Sequence, residues 1–192
     1  MRGILLAAFA FGVVGAATLQ VALGAPSTKV VMYAPFGSGG LHPGYTVASK
    51  VHGACWTGSI ASQRPDAWRC MVSNSIYDPC FSNAALSSVA CPSDAFSKSV
   101  VLIVLDKPIP VKERNEGGAA SPWAVLLSNG ARCYMATGAT GEVAGMRLNY
   151  ECSSKGWVLG NPDKSKRPWQ VFYSARSDGT QYKRVSVRVA VL

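Results

Sequence analysis

The sequence predicts a mainly β protein. The expected architecture is a small antiparallel sandwich or barrel over about residues 99–192, preceded by a disulfide-stapled, loop-rich N-terminal half. Three observations carry this. Val185, Val187, Val189 and Val191 alternate with Arg184, Ser186 and Arg188 near the C-terminus, the period-two pattern of a strand with one buried face. Asn129-Gly130 and Asp178-Gly179 each lie between such runs, and both dipeptides are strong hairpin signals. Four of the six cysteines fall between Cys55 and Cys91, among turn residues and short apolar runs.

The chain opens with Met1-Arg2 and a 22-residue run, 3–24, that carries no charge. One basic residue, an apolar core and a small-residue end read as a secretory signal peptide, residues 1–24, cut after Gly24 with Ala22 and Gly24 as the small residues of the site. The run is also long enough to span a bilayer, which leaves an uncleaved anchor as the rival reading. Residues 25–192 then form a single secreted, disulfide-stabilised domain, with no repeat and no linker to divide it.

The six cysteines all follow the leader, which suits an oxidising compartment, secreted or at the periplasm or cell envelope. Fifteen pairings are open. Near neighbours give Cys55–Cys70, Cys80–Cys91 and Cys133–Cys152. The last has separate support, because the strands holding Cys133 and Cys152 flank the loop Thr137–Glu142 and would set the two opposite each other. No C-x-x-C occurs and His42 and His52 are the only histidines, so no metal site is expected.

Taken in order, Lys29–Pro35 reads as an edge strand ended by proline. The glycine-rich segment that follows reads as a loop containing an exposed His42. Thr46–Ile60 reads as a strand that carries Cys55 and Trp56 inward. Pro65-Asp66 suits a helix start, which predicts one helical turn over Asp66–Met71 with Ala67, Cys70 and Met71 on one side. Asp78, before Pro79, is extended or in a turn. Ser99–Val111 is continuously apolar and reads as a central strand. Trp123–Ser128, Ala131–Ala136, Gly145–Cys152, Gly156–Leu159, Trp169–Arg176 and Thr180–Leu192 complete an antiparallel sheet.

Lysine and arginine total 19 against 10 acidic residues, a net charge of +9. Most of the surplus lies in 155–188, where eight basic residues meet two acids. Exported basic proteins meet anionic envelope polymers, lipid headgroups or acidic proteins first. Nucleic acid is not the expected partner, and a monomer is expected. The candidate anion-binding residues are Lys164, Lys166, Arg167, Arg184 and Arg188. Trp123, Tyr150, Trp157, Trp169, Tyr173 and Tyr182 lie among the basic residues, as either core or ligand platforms.

No catalytic residue and no cofactor is assigned. G-x-S-x-G is absent, and a triad of Ser59 or Ser62 with His52 has no motif behind it. The alternative to a binding protein is a cell-wall or polysaccharide hydrolase with Asp66 and Asp78 as its carboxylates. The structural reading of that pair is a helix cap and a turn residue.

Cys55, Gly58 and Ser59, then Asp66-Ala67-Trp68-Arg69-Cys70, then Asp78-Pro79-Cys80-Phe81 form a distinctive pattern. Trp123, Gly130, Cys133, Cys152, Pro168 and Trp169 continue it. The pattern resembles an uncharacterised secreted or membrane-tethered six-cysteine domain family of high-GC bacteria, actinobacteria in particular. The resemblance spans most of 25–192. It implies a bacterial envelope-facing domain and carries no catalytic residue.

Overall fold

A meander of neighbouring strands closes differently according to its strand count. Antiparallel neighbours alternate in direction, so an odd number leaves the first and last strands parallel and an even number leaves them antiparallel. This chain contains one closure of each kind. The computed structural model describes residues 26–118 and 121–192; the expected leader and its cleavage site lie outside them.

Three short strands lead in: β1 (Lys29–Val31), β2 (Phe36–Gly37) and β3 (Gly40–Leu41). The first barrel is β4 (Thr46–Gly58), β5 (Ala67–Val72), β6 (Ser75–Ser82), β7 (Ser88–Pro92) and β8 (Ser99–Leu105), closed by parallel pairing of β4 with β8. A 3-10 turn at Val111–Glu113 follows. The second barrel uses β9 (Ala124–Leu127), β10 (Arg132–Met135), β12 (Met146–Cys152), β13 (Trp157–Asp163), β14 (Gln170–Ser174) and β15 (Lys183–Val191), closed by antiparallel pairing of β15 with β9. The two-residue strand β11 (Glu142–Val143) pairs outside this ring with β12.

Strand β4 is thirteen residues long because it serves two partners. Thr46–Gly53 pairs with β8 and Ala54–Gly58 with β5. Gly53 lies at the change of partner. A Cβ there would come within 2.4 Å of the Met71 carbonyl oxygen, so the corner accepts only glycine.

All three expected disulfides form. Cys55 faces Cys70 and Cys133 faces Cys152 in register. Cys80–Cys91 lies one step beyond the Phe81–Ala90 pair. Each therefore joins opposite residues on adjacent antiparallel strands, with Cα atoms 3.9–4.1 Å apart. The first two share the interior of the five-stranded barrel with Trp68, Val89 and Ile103. The third lies inside the six-stranded barrel with Val125, Tyr150, Val171, Val185 and Val187. Three disulfides fit an extracellular or envelope location. Among the described residues no helix is long and apolar enough to cross a membrane.

A third cluster lies between the barrels. Tyr33, Phe81, Ala90, Val100, Trp123 and Val191 are buried in it. The Tyr33 ring meets Tyr45 at 5.5 Å, Phe81 at 5.3 Å and Trp123 at 5.6 Å. Opposite, Asp94 accepts bonds from the Tyr134 hydroxyl at 2.9 Å and from Arg132.

The mainly β class and the barrel thus hold, but the halves divide elsewhere than the sequence suggested. Ser99–Leu105 closes the first barrel instead of opening the second, and the N-terminal half holds a regular barrel. The helical turn at Asp66–Met71 is also corrected. Ala67 turns back to the Arg64 carbonyl, so Pro65-Asp66 makes a turn, but the chain then runs as β5. Trp68 and Cys70 point inward while Met71 is exposed. Two neighbouring strands and a disulfide outweigh one turn's helical propensity. Trp56, next to the buried Cys55 on β4, faces outward under Arg69 instead of inward as expected, since successive strand residues face opposite sides.

Replacing both Cys133 and Cys152 by serine is expected to cost about 3 kcal/mol, since the bond closes a loop with a sequence separation of 19. Urea unfolding of oxidised protein, parent against variant, measures the loss.

Candidate anion-binding face

The turn between β13 and β14 is built around Asp163. Its carboxylate accepts bonds from the Ser165 amide at 3.0 Å and the Ser165 hydroxyl at 2.6 Å. These bonds hold the Asp163 carboxyl below the usual range, and Lys166 and Arg184 add to the effect. The aspartate therefore organises the turn that carries Lys164, Lys166 and Arg167, all exposed.

Aromatic rings hold two of the cations. The Lys164 ammonium lies 5.3 Å from the Trp169 ring centroid. Arg184 faces Phe172 across the β14–β15 register, and its guanidinium lies 4.8 Å from the Phe172 ring. Phe172 in turn meets Tyr182 edge to face at 5.5 Å. Such contacts limit the swing of long side chains and still leave the charge to solvent.

Along β15 the expected alternation holds as far as Val187. A register shift between Val187 and Val189 then turns Ala190 into the barrel core beside Val185 and Val187, while Val189 and Val191 pack on the cluster between the barrels. Val185 and Val187 are buried, whereas Arg184 and Arg188 are exposed. The two arginines are four residues apart along the strand, a span of about 13 Å, with Arg188 at the register shift between Val187 and Val189. The loop 175–182 folds back on the barrel beside them. The Trp157 indole donates to the Ser177 carbonyl at 2.9 Å. Gly179 is buried at φ +73°, where a Cβ would come within 2.6 Å of Leu148. Arg176 pairs with Asp178 in this loop, and that bond, with others from Thr180, holds Asp178 low.

All five basic residues singled out in the sequence are thus exposed on the β13–β15 side, with Asp163 among them. The six aromatics separate. Trp123, Tyr150 and Tyr173 are buried, with the Tyr150 hydroxyl donating to the Pro122 carbonyl at 2.6 Å. Trp157 fixes the loop. Only Trp169 and Tyr182 join the basic side. Phe172 and Lys29 were missed. Phe172 would have followed from strand parity with Gln170. Lys29 depends on strand β1 pairing parallel with β15, for which the sequence holds no local signal.

The carboxylates of the hydrolase alternative do not converge. Asp66 pairs with Arg64 at the surface, beside Pro65, Ser82 and Arg114. The Asp78 side chain is 2 % exposed. It accepts a bond from the Ser59 hydroxyl, from the Ile60 amide at 3.1 Å and from the Ala61 amide at 3.4 Å. It therefore secures the Ser59–Ser62 loop, which Asn115 clamps from the other side through the Ser59 and Ser62 carbonyls, both at 2.9 Å. Asp78 borders the cleft of about 280 Å³ between the barrels, together with Asp94, Trp123 and Tyr134; Asp66 does not. His52 is bonded to Asp106 at 2.9 Å, and Ser59 and Ser62 are buried and bonded elsewhere. No serine–histidine pair forms from them.

Burial raises the Asp78 carboxyl above its usual 3.8, opposed by the Ser59, Ile60 and Ala61 bonds and by Arg69. Folding therefore favours the protonated form, and stability falls as pH rises through the window above 3.8. Asp78→Asn cannot ionise. Its unfolding free energy relative to the parent is expected to improve across that window and to level off toward neutral pH, as read by urea titrations at a series of pH values. Asp78→Ala leaves the Ile60 and Ala61 amides unpaired and is expected to cost about 3 kcal/mol in the same assay.

Set against family models, curated proteins and solved structures, the chain matches none.

Proposed function

We propose that residues 25–192 are exported as a bacterial envelope or extracellular protein and bind an anionic partner through the basic side of the second barrel, without catalysis. The observation that carries this reading is the convergence of Lys164, Lys166, Arg167, Arg184 and Arg188 on one side, with Asp163 as the acid among them and Trp169 and Phe172 holding two of the cations. Organised cations beside rings suit a polyanion better than scattered ones, because less side-chain freedom is lost on contact. The uncharged run at 3–24, the three disulfides and the six-cysteine resemblance support the location.

The test is retention of oxidised 25–192 on a sulfated polysaccharide matrix. Binding is expected at low salt and lost as salt shortens the screening length toward about 3 Å at 1 M. The combined variant Lys166→Glu, Arg167→Glu and Arg184→Glu is expected to weaken binding at least tenfold with an unchanged thermal midpoint. Equal retention of parent and variant would falsify the assignment of the face.

A further inference from the structure

The N-terminal strand and the basic turn meet at one point. The Thr28 hydroxyl donates to the Val187 carbonyl at 2.7 Å and accepts from the Trp169 amide at 2.8 Å. The Val187 amide donates to the Trp169 carbonyl at 2.8 Å. Thr28, Trp169 and Val187 thus form a junction between segments that are 141 and 159 residues apart in sequence.

Cations ring this junction. Lys29 is next to Thr28, Arg188 is next to Val187, and Arg167 is two residues from Trp169; all three are exposed. Lys166 adjoins Arg167, and the Lys164 ammonium lies over the Trp169 ring. No Asp or Glu occurs within three residues of Thr28, Trp169 or Val187.

The sequence places an uncharged run of bilayer-spanning length just upstream, ending at Gly24. Thr28 lies four residues after Gly24, a reach of about 14 Å at full extension. Whenever the run is in a membrane, the junction lies within a short tether of the headgroups, close to the screening length of about 8–10 Å.

We propose that the anionic partner of the basic face is a phospholipid membrane surface, which the protein meets with the Thr28–Trp169–Val187 junction facing the headgroups. This rests on the reading of the basic face as an anion-binding site and names its partner. Lys29, Arg167 and Arg188 form the centre of the contact. The contact does not require the run 3–24 to remain attached. Cleavage after Gly24 puts a new ammonium three residues from Thr28, which strengthens the same face.

The test is co-sedimentation of oxidised 25–192, which contains every strand, disulfide and core cluster described, with two kinds of vesicle. One is pure phosphatidylcholine and the other contains about one third phosphatidylglycerol; a soluble sulfated polysaccharide serves as the third ligand. Each basic residue at a membrane surface raises partitioning about fivefold. The triple variant Lys29→Gln, Arg167→Gln, Arg188→Gln is therefore expected to bind anionic vesicles roughly 100-fold more weakly than the parent. Lys107→Gln, Lys112→Gln, Arg114→Gln removes the same charge from the segment that follows the first barrel and is expected to change binding by no more than about threefold. If thermal melting shows the junction variant to be unfolded, Lys29→Gln with Arg167→Gln replaces it, with a loss of about 25-fold.

Equal losses in both triple variants overturn the proposal, because net charge alone then explains the binding. Salt-sensitive binding to the polysaccharide without binding to anionic vesicles overturns the membrane assignment and leaves the basic face standing. Binding to neither removes both.

Discussion

Strand β15 has to satisfy more neighbours than one strand edge can offer in a single register. Lys183–Ser186 pairs with β14, and Val187–Val191 pairs with β9 to close the barrel. β14 cannot follow β15 to its end, because Pro168 has no amide hydrogen to continue the ladder. The Thr28 hydroxyl takes over at that point, bonded to Trp169 on one side and Val187 on the other. Beyond it, β1 runs parallel to Val189–Val191. The N-terminal segment is therefore an integral part of the second barrel, although every other strand of that barrel comes from the C-terminal half.

This splice positions the seam between the barrels. Past β1, the Tyr33 amide bonds the Leu192 carbonyl at 2.9 Å, and the Leu192 amide bonds the Val31 carbonyl at 2.9 Å. Arg64, from the first barrel, reaches the Tyr33 and Leu192 carbonyls together and lies 4.6 Å from the Phe81 ring. Tyr33 is thereby fixed between Phe81 of one barrel and Trp123 of the other. The pairing of the last strand, the position of one tyrosine and the packing of the two barrels are a single arrangement. Aromatic pairs of this kind contribute about 0.5–1.5 kcal/mol each beyond their buried area.

What the sequence made legible was local. The Asn129-Gly130 hairpin, the opposition of Cys133 and Cys152 and the Val185–Val187 start of the valine stripe all follow from alternation and turn chemistry within about twenty residues, and are observed. The stripe breaks where the register shifts between Val187 and Val189. The five basic side chains were also legible, since strand parity and an exposed turn decide their direction. What failed depended on closure. Whether Ser99–Leu105 belongs to the first or second barrel is decided by its parallel partner Thr46–Gly53, about fifty residues away. The helix expected after Pro65 lost to cross-strand neighbours of Trp68 and Cys70 that no local window contains. Asp78 looked like a turn residue or an acid. Its role in securing Ile60 and Ala61 appears only once β6 lies beside the Ser59 loop.

The order of the three cystines has its own consequence. They pair the first cysteine with the second, the third with the fourth and the fifth with the sixth, without interleaving and without crossing from one barrel to the other. A chain threaded through a membrane from its N-terminus would present each cysteine's correct partner as the next one to emerge. Oxidation in order of appearance gives the native set, and no bond need be broken and remade. The first barrel could be covalently complete before Cys133 arrives, waiting only for Tyr33 to be clasped by a C-terminal strand that comes last.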